Sequence, residues 1–275
     1  MKLVVCSRED AASVNITENL LASGGWTEKG EFEGAPVKWK QGAAVVTIPV
    51  HHLFYDEIDV KAEKALGEGP SIVIFASRHK SASNMRTLTV YPIGNFNKAE
   101  MGGKDGALVP VAPHCMTHAY RELKKRGTGL QYEVSFEATH HGPFLSTPTF
   151  YIEIGSDEAA WADKEPARVI AATLDDVLFS DVPQYPVALG IGGGHYVPRI
   201  SDVAREKRIS FGHMLPSYIL EGGLNTAHLE LMLNATPDAK LVYFHRKAIK
   251  TPLLREMEKW FTAKGLRVVS SKDLE

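Results

Sequence analysis

Tyr132-Glu133-Val134-Ser135-Phe136-Glu137-Ala138-Thr139-His140-His141-Gly142-Pro143 is the stretch on which the fold turns. Strand residues alternate between two faces, so Tyr132, Val134, Phe136 and Ala138 point one way and Glu133, Ser135, Glu137, Thr139 and His141 the other. A strand buried between helix layers is normally apolar throughout. Here one face carries carboxylates, hydroxyls and an imidazole, and Gly142-Pro143 then stops the strand. Two more apolar runs end in the same way. Ile72-Val73-Ile74-Phe75-Ala76 leads into Ser77-Arg78-His79-Lys80-Ser81, and Val187-Ala188-Leu189-Gly190-Ile191 into Gly192-Gly193-Gly194-His195-Tyr196. Open α/β sheets bind ligands beyond the carboxyl ends of their strands. The strand ends at Ala76, Thr139 and Ile191 are therefore expected to face one imidazole-rich crevice, the plan of an enzyme.

Around these strands the pattern alternates between periods of two and of 3.6. Asp10 can cap a helix that runs through Leu20-Leu21 to Gly24-Gly25, and Ala43 to Val50 reads as a strand. Pro113 can open a helix that Gly127 stops. Phe150 to Ile154 is a strand expected to pair with the Tyr132 strand, and Asp157 or Asp163 leads a helix through Val169, Leu174 and Val177. A helix around Leu224 to Leu233 and a strand at Leu241 to Phe244 follow. A last helix has Leu253, Leu254, Met257, Trp260 and Phe261 on one face, and Leu266 to Val269 is a closing strand. The alternation predicts a three-layer α/β/α sandwich with a mixed, mostly parallel sheet, in a single domain over residues 1–275. Asn84 to Pro113 is long, glycine-rich and weakly periodic, which reads as a lid or binding loop.

With 275 residues, 44% of them hydrophobic and 23% charged, and a net charge of -2, the composition is that of an ordinary globular protein. Near-neutrality leaves room for a local basic patch and so for a nucleic-acid partner. Two distant cysteines, Cys6 and Cys115, make no disulfide framework and fit a reducing compartment. The chain opens directly on strand-like Lys2 to Cys6 and holds no apolar run of bilayer length. A cytoplasmic protein without a signal peptide or membrane contact is expected, a monomer with no obligate protein partner.

Glu137 and His141, with Thr139 between them, could bind a metal or act as an acid/base pair in which the carboxylate orients the imidazole. Adjacent His140 and His141 should project to opposite sides. The triple glycine could present backbone N–H groups as a nest for an oxyanion or phosphate. It lacks the G-x-G-x-x-G spacing, and Pro198 argues against a helix opening there, so a dinucleotide site is not expected. His114 and His118 lie one helical turn apart, and Cys115 between them could be a nucleophile only with a neighbouring base. A helix-surface pair and a buried cysteine are the simpler readings. His51-His52 makes a weaker site, and His213, His228 and His245 read as structural. Short basic clusters at Lys124-Lys125-Arg126, Arg205 to Arg208 and His245 to Lys247 would hold RNA if gathered on one rim.

Four blocks together carry a resemblance: Ser77 to Ser83, Leu88 to Phe96, Glu137 to Pro143, and Gly192 to Tyr196. In order and spacing they resemble the D-aminoacyl-tRNA deacylases of the archaeal and plant type over nearly the whole chain. The resemblance implies a fold like those of phosphorylases and peptidyl-tRNA hydrolases. It also implies hydrolysis of the ester of D-aminoacyl-tRNA, with tRNA charged with a D-amino acid as partner. It implies that these blocks surround the active site, and it implies zinc as a cofactor. Read with the strand ends above, Glu137, His141 and His195 are expected in catalysis, and Arg78, His79, Ser81, Thr139, His140, Gly192, Gly193 and Gly194 around the substrate. If zinc is bound, the imidazoles of His79, His141 and His195 are expected to hold it, and Lys124, Lys125 and Arg126 to contact tRNA. Three alternatives remain: a zinc-dependent amidohydrolase or peptidase of related fold, a nucleoside phosphorylase-like transferase, and a tRNA- or nucleotide-binding module without catalysis.

Overall fold

The computed structural model describes residues 1–81 and 85–275. Ala82 and Ser83, the end of the first resemblance block, and Asn84, the start of the segment read as a lid, lie outside the described residues. The amino-terminal part runs β1 (Lys2–Ser7), α1 (Ala11–Ala22), β2 (Thr27–Phe32), β3 (Ala35–Lys40), β4 (Ala43–Ile48) and α2 (Ile58–Leu66). Next come β5 (Ile72–Lys80), β6 (Thr87–Tyr91), β7 (Gly94–Asn95), β8 (Ala107–Leu108), α3 (Pro113–Arg126) and β9 (Glu133–Phe136). They are followed by β10 (Thr149–Ser156), α4 (Glu158–Ala162), α5 (Lys164–Phe179), β11 (Val187–Ile191), α6 (Pro198–Glu206) and β12 (Ser210–Leu215). The chain closes with α7 (Thr226–Ala235), β13 (Ala239–Phe244), α8 (Thr251–Ala263) and β14 (Arg267–Val269).

The expected caps are present. Asp10 accepts Ser13 N–H at 2.9 Å at the start of α1, Asp157 and Asp163 cap α4 and α5, and Pro113 opens α3. The layers are those of a mixed, mostly parallel α/β sandwich, but the strands divide between sheets. Eight form the order β2-β3-β4-β1-β5-β10-β6-β9, and four form an all-parallel sheet β12-β11-β13-β14. One face of the large sheet buries Ile74, Val90, Phe136 and Ile152 beneath α1, α3 and α5. The other face buries Leu3, Val5, Phe75 and Tyr151 beside α2. Helix α3 packs on β6, β9 and β12 and so ties the two sheets together. Among the described residues no helix is long and apolar enough to cross a membrane.

Three expectations about the strands are corrected. The Tyr132 strand does not pair with the Phe150 strand, because β6 lies between β9 and β10. Strand β6 comes from the segment read as a lid; Leu88 and Val90 are fully buried, which is why it sits inside the sheet. The strand ends also do not share one edge. Strand β5 continues past Ala76 to Lys80, and because β10 pairs antiparallel with β6, β5 and β9 run in opposite directions.

Candidate active site

That reversal puts the polar residues on a sheet face, not beyond an edge. Register sets Ser77, Glu153, Thr89 and Ser135 side by side across β5, β10, β6 and β9. All four are buried on the face opposite the apolar core of α1 and α5. His79 follows two residues after Ser77, and its ring lies over Gly155, where a Cβ would come within 3.1 Å of the imidazole. Glycine in β10 makes room for the histidine of β5.

Glu137 is the first residue past β9. Its N–H still bonds Val90 O at 3.2 Å, but Ala138 N–H goes to His195 O at 2.7 Å and Thr139 N–H to Met214 O at 3.0 Å. The chain thus crosses from the large sheet to the loops of the small one and brings the β11–α6 loop over the polar face. The fully buried Glu137 carboxylate meets His79 Nδ1 at 3.3 Å, His195 Nε2 at 2.9 Å and His140 Nε2 at 3.5 Å. Despite these distances neither oxygen receives a well-aligned hydrogen bond. Ligand atoms of His79, Glu137 and His195 all lie within 4.8 Å of one another.

Electrostatics follow from burial and these neighbours. Burial alone would raise the Glu137 carboxyl, but the His195 imidazole 2.9 Å away outweighs it and holds it below the usual range, so it is an anion. Burial lowers His195 less than Glu137 raises it, and its pKa ends above the ordinary value. For His79 and His140 burial wins and both are pushed down. Glu153 goes the other way from Glu137: burial, with Glu137 nearby, raises it well above the carboxylate range. His79, His140, His195, Glu153, Tyr91 and Tyr196 line a cleft of about 1070 Å³, near the upper limit for small-molecule sites.

Comparison with known proteins decides the family. The model of the family described as D-aminoacyl-tRNA deacylase matches residues 66–269. The chain belongs to this family. The D-aminoacyl-tRNA deacylase of Pyrococcus furiosus is 39% identical over 220 residues, 79% of this chain and 81% of that protein. The one from Thermoplasma acidophilum is 31% identical over 277 residues, 98% of this chain and all (100%) of its own length. The crystal structure of a conserved protein of unknown function, AF0625, matches with a TM-score of 0.91 at 30% identity. That match covers 100% of this chain and 96% of the other.

For this family member the cluster differs from the sequence reading at His141. Strand β9 ends at Phe136, and Ala138 and Thr139 bond to His195 and Met214 instead, so alternation no longer holds. His140, not His141, faces Glu137, and the His141 backbone is left-handed, with φ 44°. His141 Nδ1 donates to Gly142 O at 2.6 Å, so Nε2 is the acceptor of the Tyr91 hydroxyl at 2.9 Å. Burial lowers its pKa to about 3 and keeps it neutral. Glu137 therefore occupies the place assigned to His141 in the triad with His79 and His195. By the same argument His140, whose Nδ1 donates to Ala138 O at 2.8 Å, turns an Nε2 lone pair toward the Glu137 carboxylate. Two acceptors face each other across 3.5 Å.

The glycine loop does not offer the expected nest. Gly192 N–H is used by Leu215 O at 2.8 Å, and Gly193 N–H by Ser217 Oγ at 2.9 Å. Both glycines have positive φ, 97° and 101°, and Gly192 packs against Ile249; the loop's part is to carry His195 into the cleft. Gly194 does not line the cleft either. Pro198 opens α6 rather than preventing a helix. Thr139 reaches the cleft wall, and its hydroxyl donates to His213 Nδ1 and accepts Met214 N–H, both at 3.0 Å.

Arg78, Ser81 and His51 line the cleft, with the Arg78 guanidinium 5.0 Å from the Trp161 ring. Lys124, Lys125 and Arg126 do not. Lys124 pairs with Glu133, Lys125 with Glu122, and Arg126 with Glu122 and Asp176. Glu133 begins β9, the opposite end of that strand from Glu137. Lys80 and Lys98 line the cleft instead. His114 bonds Ser210 and His118 bonds Asp176, so they form no joint site. Cys115, its thiol pushed up by burial, is not poised as a nucleophile. Glu153, Tyr91 and Tyr196 were missed. A carboxylate inside the apolar run Phe150 to Ile154 was the available signal for Glu153.

Proposed function

We propose that this cleft hydrolyses the ester that joins a D-amino acid to the 3′ end of tRNA, releasing free D-amino acid and tRNA. Membership of the deacylase family supports the reaction class. The observation that carries the chemistry is the anionic, fully buried Glu137 behind three imidazoles that line a cleft large enough for a terminal nucleotide and its aminoacyl group. Arg78, Lys80 and Lys98 supply positive charge at the same cleft for the RNA backbone.

His79, Glu137 and His195 fit a zinc ion. Two imidazoles and a carboxylate are a donor set of catalytic zinc, and the unbonded Glu137 oxygens lack a partner that a cation would supply. Zinc held there would polarise the ester carbonyl and acidify a water. The protein's own groups do the rest. Tyr196 Oη, 3.0 Å from His79 Nε2, orients that ring. His140, neutral and with its Nε2 lone pair turned toward Glu137, accepts the proton of the attacking water at that atom. Discrimination against L-substrates falls to the shape of the cleft wall and the placing of the amine.

Incubation with matched D- and L-aminoacyl-tRNA, following loss of the ester, tests the reading. Rapid loss from the D-substrate and slow loss from the L-substrate is expected, and Glu137→Gln should remove the difference. Equal turnover of a free D-aminoacyl ester and the charged tRNA would reject the RNA part and favour a general esterase.

A further inference from the structure

We propose that Glu153 binds the α-ammonium group of the aminoacyl ester and so fixes which enantiomer can react. This rests on the hydrolytic reading above and adds an interaction within the same cleft. Glu153 lies in the middle of β10 and is only 3% exposed, yet it lines the cleft. Among the described residues no lysine or arginine pairs with it; the Tyr91 hydroxyl is a neighbour, and His79 Nδ1 lies 3.7 Å away. That nitrogen is nearer to Glu137, at 3.3 Å.

Two hydroxyls lie beside Glu153, and both also serve other acceptors: Ser77 Oγ donates to Asp10 Oδ2 at 2.9 Å and Tyr91 Oη to His141 Nε2 at 2.9 Å. A carboxylate is costly to bury without a cation or donors. Glu153 is thus a buried carboxyl group at the cleft with no lysine or arginine beside it among the described residues, a place that an incoming ammonium would complete.

An aminoacyl ester carries that cation. Its amine sits on the carbon next to the carbonyl, so the two groups are separated by the width of a single Cα. His79 Nδ1 lies within 3.7 Å of both carboxylates, so an ester carbonyl placed against His79 and His195 at the cleft wall leaves the amine within reach of Glu153. The carbonyl and amine then fix two of the four substituents on Cα. The side chain and hydrogen have no freedom to exchange places without changing hand, and one enantiomer must direct its side chain into the sheet face. With the amine unanchored, rotation about the Cα–carbonyl bond would let either enantiomer present the same ester.

The test compares D-aminoacyl-tRNA with the D-2-hydroxyacyl ester of the same tRNA, which keeps the shape and removes the charge. Wild type should favour the amine by about 10- to 100-fold in kcat/KM, the range for a hydrogen bond to a charged group. Glu153→Gln should lose about that factor on the amine substrate, lose little on the hydroxy substrate, and let the D-over-L ratio collapse. Glu153→Asp should recover part of both. Equal use of the two esters by wild type overturns the inference, and that comparison needs no variant to fold. An equal loss on both substrates in Glu153→Gln also overturns it, by making Glu153 a support for His79. No cleavage of either ester by wild type would overturn the hydrolytic reading itself.

Discussion

The Tyr91 hydroxyl sits 2.9 Å from His141 Nε2 and thereby removes His141 from the cluster around Glu137. With Nδ1 on the Gly142 carbonyl, both ring nitrogens are committed to the protein. Glu137→Gln and His195→Ala, which break the cluster proposed to hold the metal, and His140→Ala, which removes the proposed base, should each lower kcat by about 10²- to 10⁴-fold. His141→Gln keeps one donor and one acceptor and should stay within about tenfold of wild type. Single-turnover measurements on D-aminoacyl-tRNA check the order, and a His141 defect as deep as that of Glu137 would refute the assignment.

The placing of cations predicts where RNA binds. Lys124, Lys125 and Arg126 already have acidic partners, while Arg78, Lys80 and Lys98 line the cleft. Replacing the first three by alanine should leave tRNA affinity and its salt dependence nearly unchanged. Replacing Arg78, Lys80 and Lys98 should weaken D- and L-charged tRNA alike. The slope of log K against log salt should become shallower by about 0.7–0.9 for each phosphate that is no longer neutralised. Filter binding across a salt series distinguishes the two sets, and the reverse pattern would restore the α3 cluster as the RNA-binding surface.

Much of this was legible in the residues. Asp10, Pro113, Gly127 and Asp163 mark real helix ends, because a cap is a local hydrogen-bonding requirement. His79, Glu137 and His195 were each found at the end of an apolar run. What the residues did not disclose was direction. Whether β5 and β9 run parallel depends on β6 and β10 lying between them, a non-local fact. Strands β2 and β3 were missed because Thr27–Phe32 is polar and mostly exposed at a sheet edge. Their turn, Glu33-Gly34, has φ of 50° and 72°, and the glycine was the signal available. Alternation could not choose between His140 and His141, because β9 ends at Phe136 and the chain past it bonds to His195 and Met214 instead.

Two buried histidines predict acid sensitivity. Burial lowers His52 and His213 to about 4, against 6.5 in the unfolded chain. The unfolded state therefore takes up protons first, so their contribution is complete above about pH 6.5 and is lost as pH falls toward 4. Each is worth up to about 3 kcal/mol over that window. Urea midpoints should drop between pH 7.5 and pH 5. His213→Gln should be less stable at pH 7.5 but show a smaller drop. An undiminished drop in the variant would mean that His213 does not contribute.

The last prediction concerns the metal. An anion buried among imidazoles, with no aligned hydrogen bond on either oxygen and an opposing lone pair on His140 Nε2, offers a place that a divalent cation would fill. Protein prepared without a histidine tag should retain about one zinc per chain after dialysis. His79→Ala, Glu137→Gln and His195→Ala should each lose it, and His141→Ala should keep it. Thermal unfolding gives a readout independent of turnover. Zinc at 100 times its dissociation constant should stabilise wild type by about 2.7 kcal/mol and leave Glu137→Gln unmoved. Loss of zinc from His141→Ala as complete as from His195→Ala would return His141 to the ligand set. A wild-type protein that neither binds zinc nor is stabilised by it would leave the proton transfers to Glu137, His140 and His195 alone.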